Sequence, residues 1–280
     1  MIEAILTYDF LRQAFISGIL IGIMAPLLGV FIVVRRLSLI ADALSHVTLA
    51  GIAGSLFLSQ TVPALALLNP LYLGMASAVA GSTLIEKLRS LYKHYQELAI
   101  PIIMSAGLGL AALFISLADG FRTDLFSYLF GSVSAVSYQD MMIVIAVTAI
   151  VVLFLLAFFK ELFVLSFDDE YASAVGLPAK WIHFMFMIVT ALVIAASMRI
   201  VGILLVSSLM TLPVAAAMRI AKSFKSAILW SLLFGQSAVL IGLVTAFYLD
   251  LAPGATIVLT SILILLIVIA IVSNRKGRVV

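Results

Sequence analysis

Asp42 and His46 stand four residues apart in an otherwise apolar stretch. On a helix that spacing puts a carboxylate and an imidazole on one face, with Ser45 adjacent and Ser38 one turn below. A hard carboxylate oxygen beside a borderline imidazole nitrogen suits a divalent transition metal. The same two groups also suit a proton relay, or a structural hydrogen bond at a helix start. Ala41, Ala43, Ala50, Gly51, Ala53 and Gly54 leave room for other helices to pack closely around this face. Asp42 is the only acidic residue expected within an apolar stretch or its first turns. It lies six residues beyond Arg36, near one boundary of that stretch. The other two histidines look ordinary: His94 beside Lys93 in a basic connection, and His183 beside Trp181 at the start of a span, where amphipathic rings favour the interface.

The elements that hold these residues are membrane spans. Of 280 residues, 65% are hydrophobic and 10% charged, against roughly 45–50% apolar and about 25% charged in soluble domains. Charge-free apolar stretches fall at residues 14–34, about 43–58, 65–85, 98–117, 141–159, 182–198, 200–218, 227–249 and 255–272. Each is long enough to cross as a helix. The expected fold is therefore an all-α polytopic bundle of about nine transmembrane helices, eight if one stretch is re-entrant, with residues 1–280 forming a single transmembrane domain. Only Arg199 divides the sixth stretch from the seventh. Of the 16 lysines and arginines, only Arg12, Arg122 and Arg199 fall on the side opposite the clusters at Arg35, Arg36, Lys87, Arg89, Lys93, Lys160, Lys180, Arg219, Lys222, Lys225, Arg275, Lys276 and Arg278. By the positive-inside rule the C-terminus is cytoplasmic, and nine spans put the N-terminus outside. The formal charge of +3 is thus a topology signal and points to no nucleic acid. Glu3 and Asp9 near the start give no basic region of a cleavable signal peptide.

Two connections exceed a turn. The outer one, residues 119–140, carries Phe121, Leu125, Phe126, Tyr128, Leu129 and Phe130 before Gly131, which predicts an interfacial or re-entrant helix. The outer acids Glu3, Asp9, Asp119, Asp124, Asp140 and Asp250 are chiefly loop solvation, with a modest pull on cations. On the inner connection, residues 160–180, Asp168, Asp169 and Glu170 open a stretch that runs through Tyr171 and Ala172 to Gly176 and Pro178. Acids at the start and Gly and Pro at the end are helix start and stop signals. A short capped helix between two spans is a shape that a partner protein can grip, or a plain connector. Pro26, Pro101 and Pro213 interrupt spans as kinks or packed bends.

What is missing also narrows the function. The chain has no cysteine, so any metal is held by nitrogen and oxygen. It has no G-x-x-x-x-G-K-[ST], H-E-x-x-H or G-x-S-x-G, so no ATPase, metalloprotease or serine hydrolase is expected in it. Energy for active transport would come from a partner or an ion gradient.

The run Arg35-Arg36-Leu37-Ser38-Leu39, followed by Asp42-Ala43-Leu44-Ser45-His46 and Gly51, resembles the signature of the bacterial zinc and manganese ABC permeases, the ABC-3 family. Arg122-Thr123-Asp124-Leu125, Tyr128-Leu129-Phe130-Gly131, Val201-Gly202 through Leu205 to Pro213, and Asp250 with Pro253-Gly254 match similar runs of that family. Ala41 stands where Gly is common and Ala50 where Pro is common, small replacements that bear on local backbone geometry. The resemblance implies a homodimeric permease in the bacterial cell membrane, with a core like that of the vitamin B12 importers. It further implies two cytoplasmic ATPase subunits that bind the ATP, an extracytoplasmic metal-binding protein, and no permanently bound cofactor. On that reading Asp42 and His46 contact the ion in transit, zinc first and manganese next, Ser38 and Ser45 line the pathway, and Asp168 to Pro178 couples to the ATPase. The competing class is a proton-coupled secondary transporter using Asp42 and His46 as a relay.

Overall fold

A computed structural model describes residues 7–62, 68–92, 94–118 and 123–276. Glu3, Lys93, Asp119, Phe121, Arg122 and Arg278 of the topology and loop expectations lie outside the described residues. In chain order the helices are α1 (Asp9–Val34), α2 (Ser38–Thr61), α3 (Pro70–Leu91), α4 (Ala99–Leu117), α5 (Thr123–Phe130), α6 (Tyr138–Phe167), α7 (Asp169–Ala174), α8 (Ala179–Val201), α9 (Ile203–Ile220), α10 (Phe224–Leu249) and α11 (Pro253–Lys276). Among the described residues there is no strand. This is the outcome that a lipid environment imposes, because a helix satisfies its backbone polar groups internally.

Nine of these helices have 18 residues or more, and eight are apolar enough over their length to cross a membrane. The ninth, α3, is long enough but more polar. Its first residue follows Asn69, whose side chain bonds Asp140 at the start of α6, and near its other end Arg89 meets His183 at the start of α8. Because α6 runs from the first of these levels towards the second, α3 covers the same distance as the apolar spans. The result is an odd number of traverses, with α1 starting at one end of the bundle and α11 finishing at the other. The finishing end is the basic end: the Arg35–Arg36 turn, Arg89 and Asp168 line one recess there, and Phe224, at the start of α10, packs edge-to-face with Phe31, Phe159, Phe163 and Phe167.

Three sequence expectations are corrected. The sixth and seventh spans divide at Gly202, not at Arg199, which lies in the last turn of α8. The fifth apolar stretch ends beside a kink, but the helix resumes after it: α6 bends at Phe158, whose dihedrals are non-helical, and continues through Lys160 and Glu161 to Phe167. At 1.5 Å per residue the part before the bend is about 30 Å long, the thickness of the hydrocarbon core, so the turns after it fall past the boundary, where Lys160 and Glu161 are tolerable. Finally, Pro101 lies in the first turn of α4 and interrupts nothing, whereas Pro26 and Pro213 are inside α1 and α9.

The supporting motifs, separated in sequence, meet at one point. The end of α5, the α8–α9 break and the start of α11 touch backbone to backbone through Gly131, Gly202 and Gly254. Gly131 and Gly202 have φ of 78° and 83°, and a Cβ on either would run into a carbonyl of the other segment. Only glycine meets both demands.

Candidate functional site

The segment bearing Asp42 and His46 starts from a well-defined turn. Arg36, with φ 57°, ends α1 in the left-handed conformation, and the N–H groups of Arg36 and Leu37 donate to Val33 and Ile32 carbonyls. This is the double bond pattern that closes a helix, with arginine at a position glycine usually fills. Helix α2 opens immediately afterwards at Ser38. At 1.5 Å per residue Asp42 lies about 6 Å and His46 about 12 Å along it. Gly107, near the middle of α4, packs its backbone on His46 and Val47. The pair therefore lies in the first third of α2, in keeping with the near-boundary position expected from Arg36.

Asp42 and His46 are both half-buried, whereas the next residues along α2, Leu49, Ala50 and Ala53, are closed off. Their face is thus partly accessible at this level and closed further along the helix. The His46 Nδ1 is buried and has no hydrogen-bond partner. A buried ring nitrogen left without a partner calls for a water, an ion or a neighbouring chain. Ser45 is buried and its hydroxyl donates to the Ala41 carbonyl at 2.8 Å, so its one proton is spent within its own helix. Ser38 is half-buried at the first position of α2. Among the described residues no group of three or more His, Cys, Asp or Glu side chains is close enough to hold a metal. One chain therefore offers two donors where a tetrahedral site takes four.

The Asp168 segment forms the expected short helix. Asp168 caps α7 by accepting the Tyr171 N–H at 2.8 Å, and Gly176, at φ 85°, reverses the chain while the Leu177 N–H returns to the Ala172 carbonyl. Ala172 is buried and anchors the helix. Tyr171, Val175 and Glu170 are exposed, and Pro178 leads into α8. Tyr171 and Val175 face outward beside the Glu170 carboxylate as a compact exposed surface.

Sequence reasoning missed two polar clusters. At the basic end Glu86, inside α3, lies 3.3 Å from the His183 Nε2, which also meets Arg89 at 2.9 Å. His183 is 8% exposed, so it is a buried partner and not the interfacial ring expected, and Asp42 is not the only acid within a span. The signal was present as Glu86 and Arg89 at i,i+3, but their partner is remote in sequence. At the opposite end Asp140, expected to be loop solvation, is 2% exposed. It accepts from Asn69 Nδ2 at 2.8 Å, from the Ser137 hydroxyl at 2.8 Å and from the Ser137 N–H at 3.0 Å, and lies 3.5 Å from Arg199 Nε. Arg199 in turn donates to the Ala135 carbonyl and lies over the Tyr128 ring at 4.6 Å. This network ties α3, α5, α6 and α8 together.

An all-helical bundle with eight helices of membrane-crossing length and apolarity among the described residues defines a polytopic membrane protein. Residues 7–272 match the ABC 3 transport family, and the chain belongs to it. It is 35% identical to the manganese import system permease protein ScaB of Streptococcus gordonii, over 98% of this chain and 96% of that one. It is 32% identical to the high-affinity zinc uptake system membrane protein ZnuB of Haemophilus influenzae, over 91% and 94%. Among solved structures, PsaBC from Streptococcus pneumoniae in complex with Fab superimposes with a TM-score of 0.81 at 34% identity, covering 95% of this chain and 93% of that one.

Proposed function

We propose that the chain is the membrane-spanning permease subunit of an ATP-driven importer for a divalent transition-metal ion, manganese or zinc. It forms a single transmembrane domain that works as a homodimer in the bacterial cell membrane. Two cytoplasmic ATPase subunits supply the energy, and an extracytoplasmic metal-binding protein delivers the ion. The basic end, with the C-terminus, faces the cytoplasm. The observation that carries this reading is the Asp42–His46 pair: two ionisable groups on one partly accessible face of a membrane-length helix, with a buried ring nitrogen lacking a partner. Ionisable groups left facing lipid are costly, so such a face belongs against a second copy or a hydrated path. Two copies about a two-fold axis bring two carboxylates and two imidazoles, enough for tetrahedral zinc, or for manganese with waters completing the shell. A shell of this kind is loose enough to release its cargo. Ser38 lines the approach to the pair from the cytoplasmic side, and Ser45 adds a hydroxyl oxygen behind it. Asp168 to Pro178 docks the ATPase through Glu170, Tyr171 and Val175.

Metal analysis of the purified permease–ATPase complex, equilibrated with zinc and manganese in competition, tests the site and assigns the ion. One ion retained per two permease chains, lost in Asp42→Ala and in His46→Ala, is expected; retention by both variants contradicts it. For the docking helix, Glu170→Arg and Gly176→Pro should each reduce ATPase co-purification several-fold while the permease still inserts. A proton relay at the same residues would instead make uptake follow a pH gradient and ignore ATP.

A further inference from the structure

The basic end holds a second feature that metal passage does not use. A recess of about 240 Å³ is lined by Arg35 and Arg36 of the α1–α2 turn, by Arg89 near the end of α3, and by Leu165, Ser166, Phe167 and Asp168 where α6 hands over to α7. Three arginines from two separate elements line it against one lining carboxylate, that of Asp168, so the lining is net positive. Glu86, 3.7 Å from Arg89, offsets part of that charge, and Asp168 accepts the Tyr171 N–H in capping α7. Arg36 is exposed and makes no hydrogen bond or ion pair through its side chain among the described residues. The rim is apolar: Val34, Leu37 and Leu165 line it, Phe167 is 65% exposed, and Leu39, two residues past the turn, is 61% exposed.

We propose that this recess is a phosphate site for the headgroup of an anionic phospholipid of the cytoplasmic leaflet. Guanidinium groups present paired N–H donors matched to phosphate oxygens. Basic pockets between membrane helices on the cytoplasmic side are where anionic headgroups bind. The volume admits a phosphate with its glycerol, whereas a single protein carboxylate would fill little of it. The exposed Phe167 and Leu39 give the acyl chains an apolar path back to the bilayer. Because Asp168 both lines the recess and caps α7, a bound headgroup braces the first turn of the docking helix. The proposal rests on the cytoplasmic orientation given above, and not on which ion is carried.

Native mass spectrometry of the purified full chain in detergent, with phosphatidylglycerol, phosphatidylcholine or inorganic phosphate added, tests it. Wild type should retain phosphatidylglycerol at least fivefold over phosphatidylcholine. Arg36→Gln should weaken that preference, and the Arg35→Gln/Arg36→Gln pair should abolish it. Arg219→Gln, an exposed cation on α9, should leave it intact. An unchanged preference in the double variant, or an equal loss in Arg219→Gln, would overturn the proposal. Thermal stabilisation by millimolar inorganic phosphate without any lipid preference would assign the recess to a free anion. Intact phosphatidylglycerol retention with lost ATPase co-purification would assign it to an acidic side chain of the ATPase. Apart from lost ATPase co-purification, failure in these ways leaves metal uptake unaffected, whereas failure of the permease reading shows as absent uptake with both lipid retention and ATPase co-purification intact.

Discussion

Asp140 and Asp42 are both carboxylates in a helical bundle, yet their surroundings are opposite. Asp140 is 2% exposed and accepts from Asn69, from the Ser137 hydroxyl and from the Ser137 N–H, with Arg199 alongside. Asp42 is half-buried one turn from a histidine whose buried Nδ1 has no partner, on a partly accessible face. A carboxylate whose lone pairs are all engaged holds helices together and has nothing left to offer a ligand. One beside an unpartnered imidazole contributes little to the fold and remains available. The contrast separates structure from function more sharply than residue type does, since both sites are an acid with a nitrogenous partner.

The contrast predicts unequal costs. Asp140→Ala removes the charge partner of a half-buried guanidinium and leaves the Asn69 and Ser137 donors unmet, at a cost of about 2–3 kcal/mol. Thermal melting of the purified protein should show it as the larger loss, and a melting point equal to wild type would mean that the network is incidental. At the other site, Asp42→Ala and His46→Ala should each cost less than about 1 kcal/mol in the same assay, because a half-buried pair with an unmet ring nitrogen has few contacts to lose. A melting loss as large as that of Asp140→Ala would make Asp42 and His46 a packing pair and erase the comparison.

Much of this was legible in the chain because membranes impose length and apolarity on each span. The i,i+4 spacing of Asp42 and His46 places them on one face before any tertiary contact is known. The cap at Asp168 and the reversal at Gly176 are likewise local, so the short helix followed from residue types alone. What escaped was non-local. Glu86 and His183, and Asn69 and Asp140, come together only when α3 lies along α8 and its N-terminal flank meets the start of α6, and a charge that will be buried against a distant partner looks like a loop charge in sequence. Helix ends were misplaced for a related reason. Lys160 and Arg199 were taken as boundaries, but a charge ends a span only where the helix meets lipid. Lys160 lies on a helix that overshoots the bilayer, and Arg199 is shielded by Asp140 and Tyr128.

The central claim is that the Asp42–His46 face of α2 carries the ion. Proteoliposomes containing the permease with its ATPase, supplied with the delivery protein, ATP and radiolabelled manganese or zinc, measure this directly. Asp42→Ala and His46→Ala should assemble and hydrolyse ATP as wild type does, while uptake falls at least tenfold. Uptake at the wild-type rate in both variants would contradict the account.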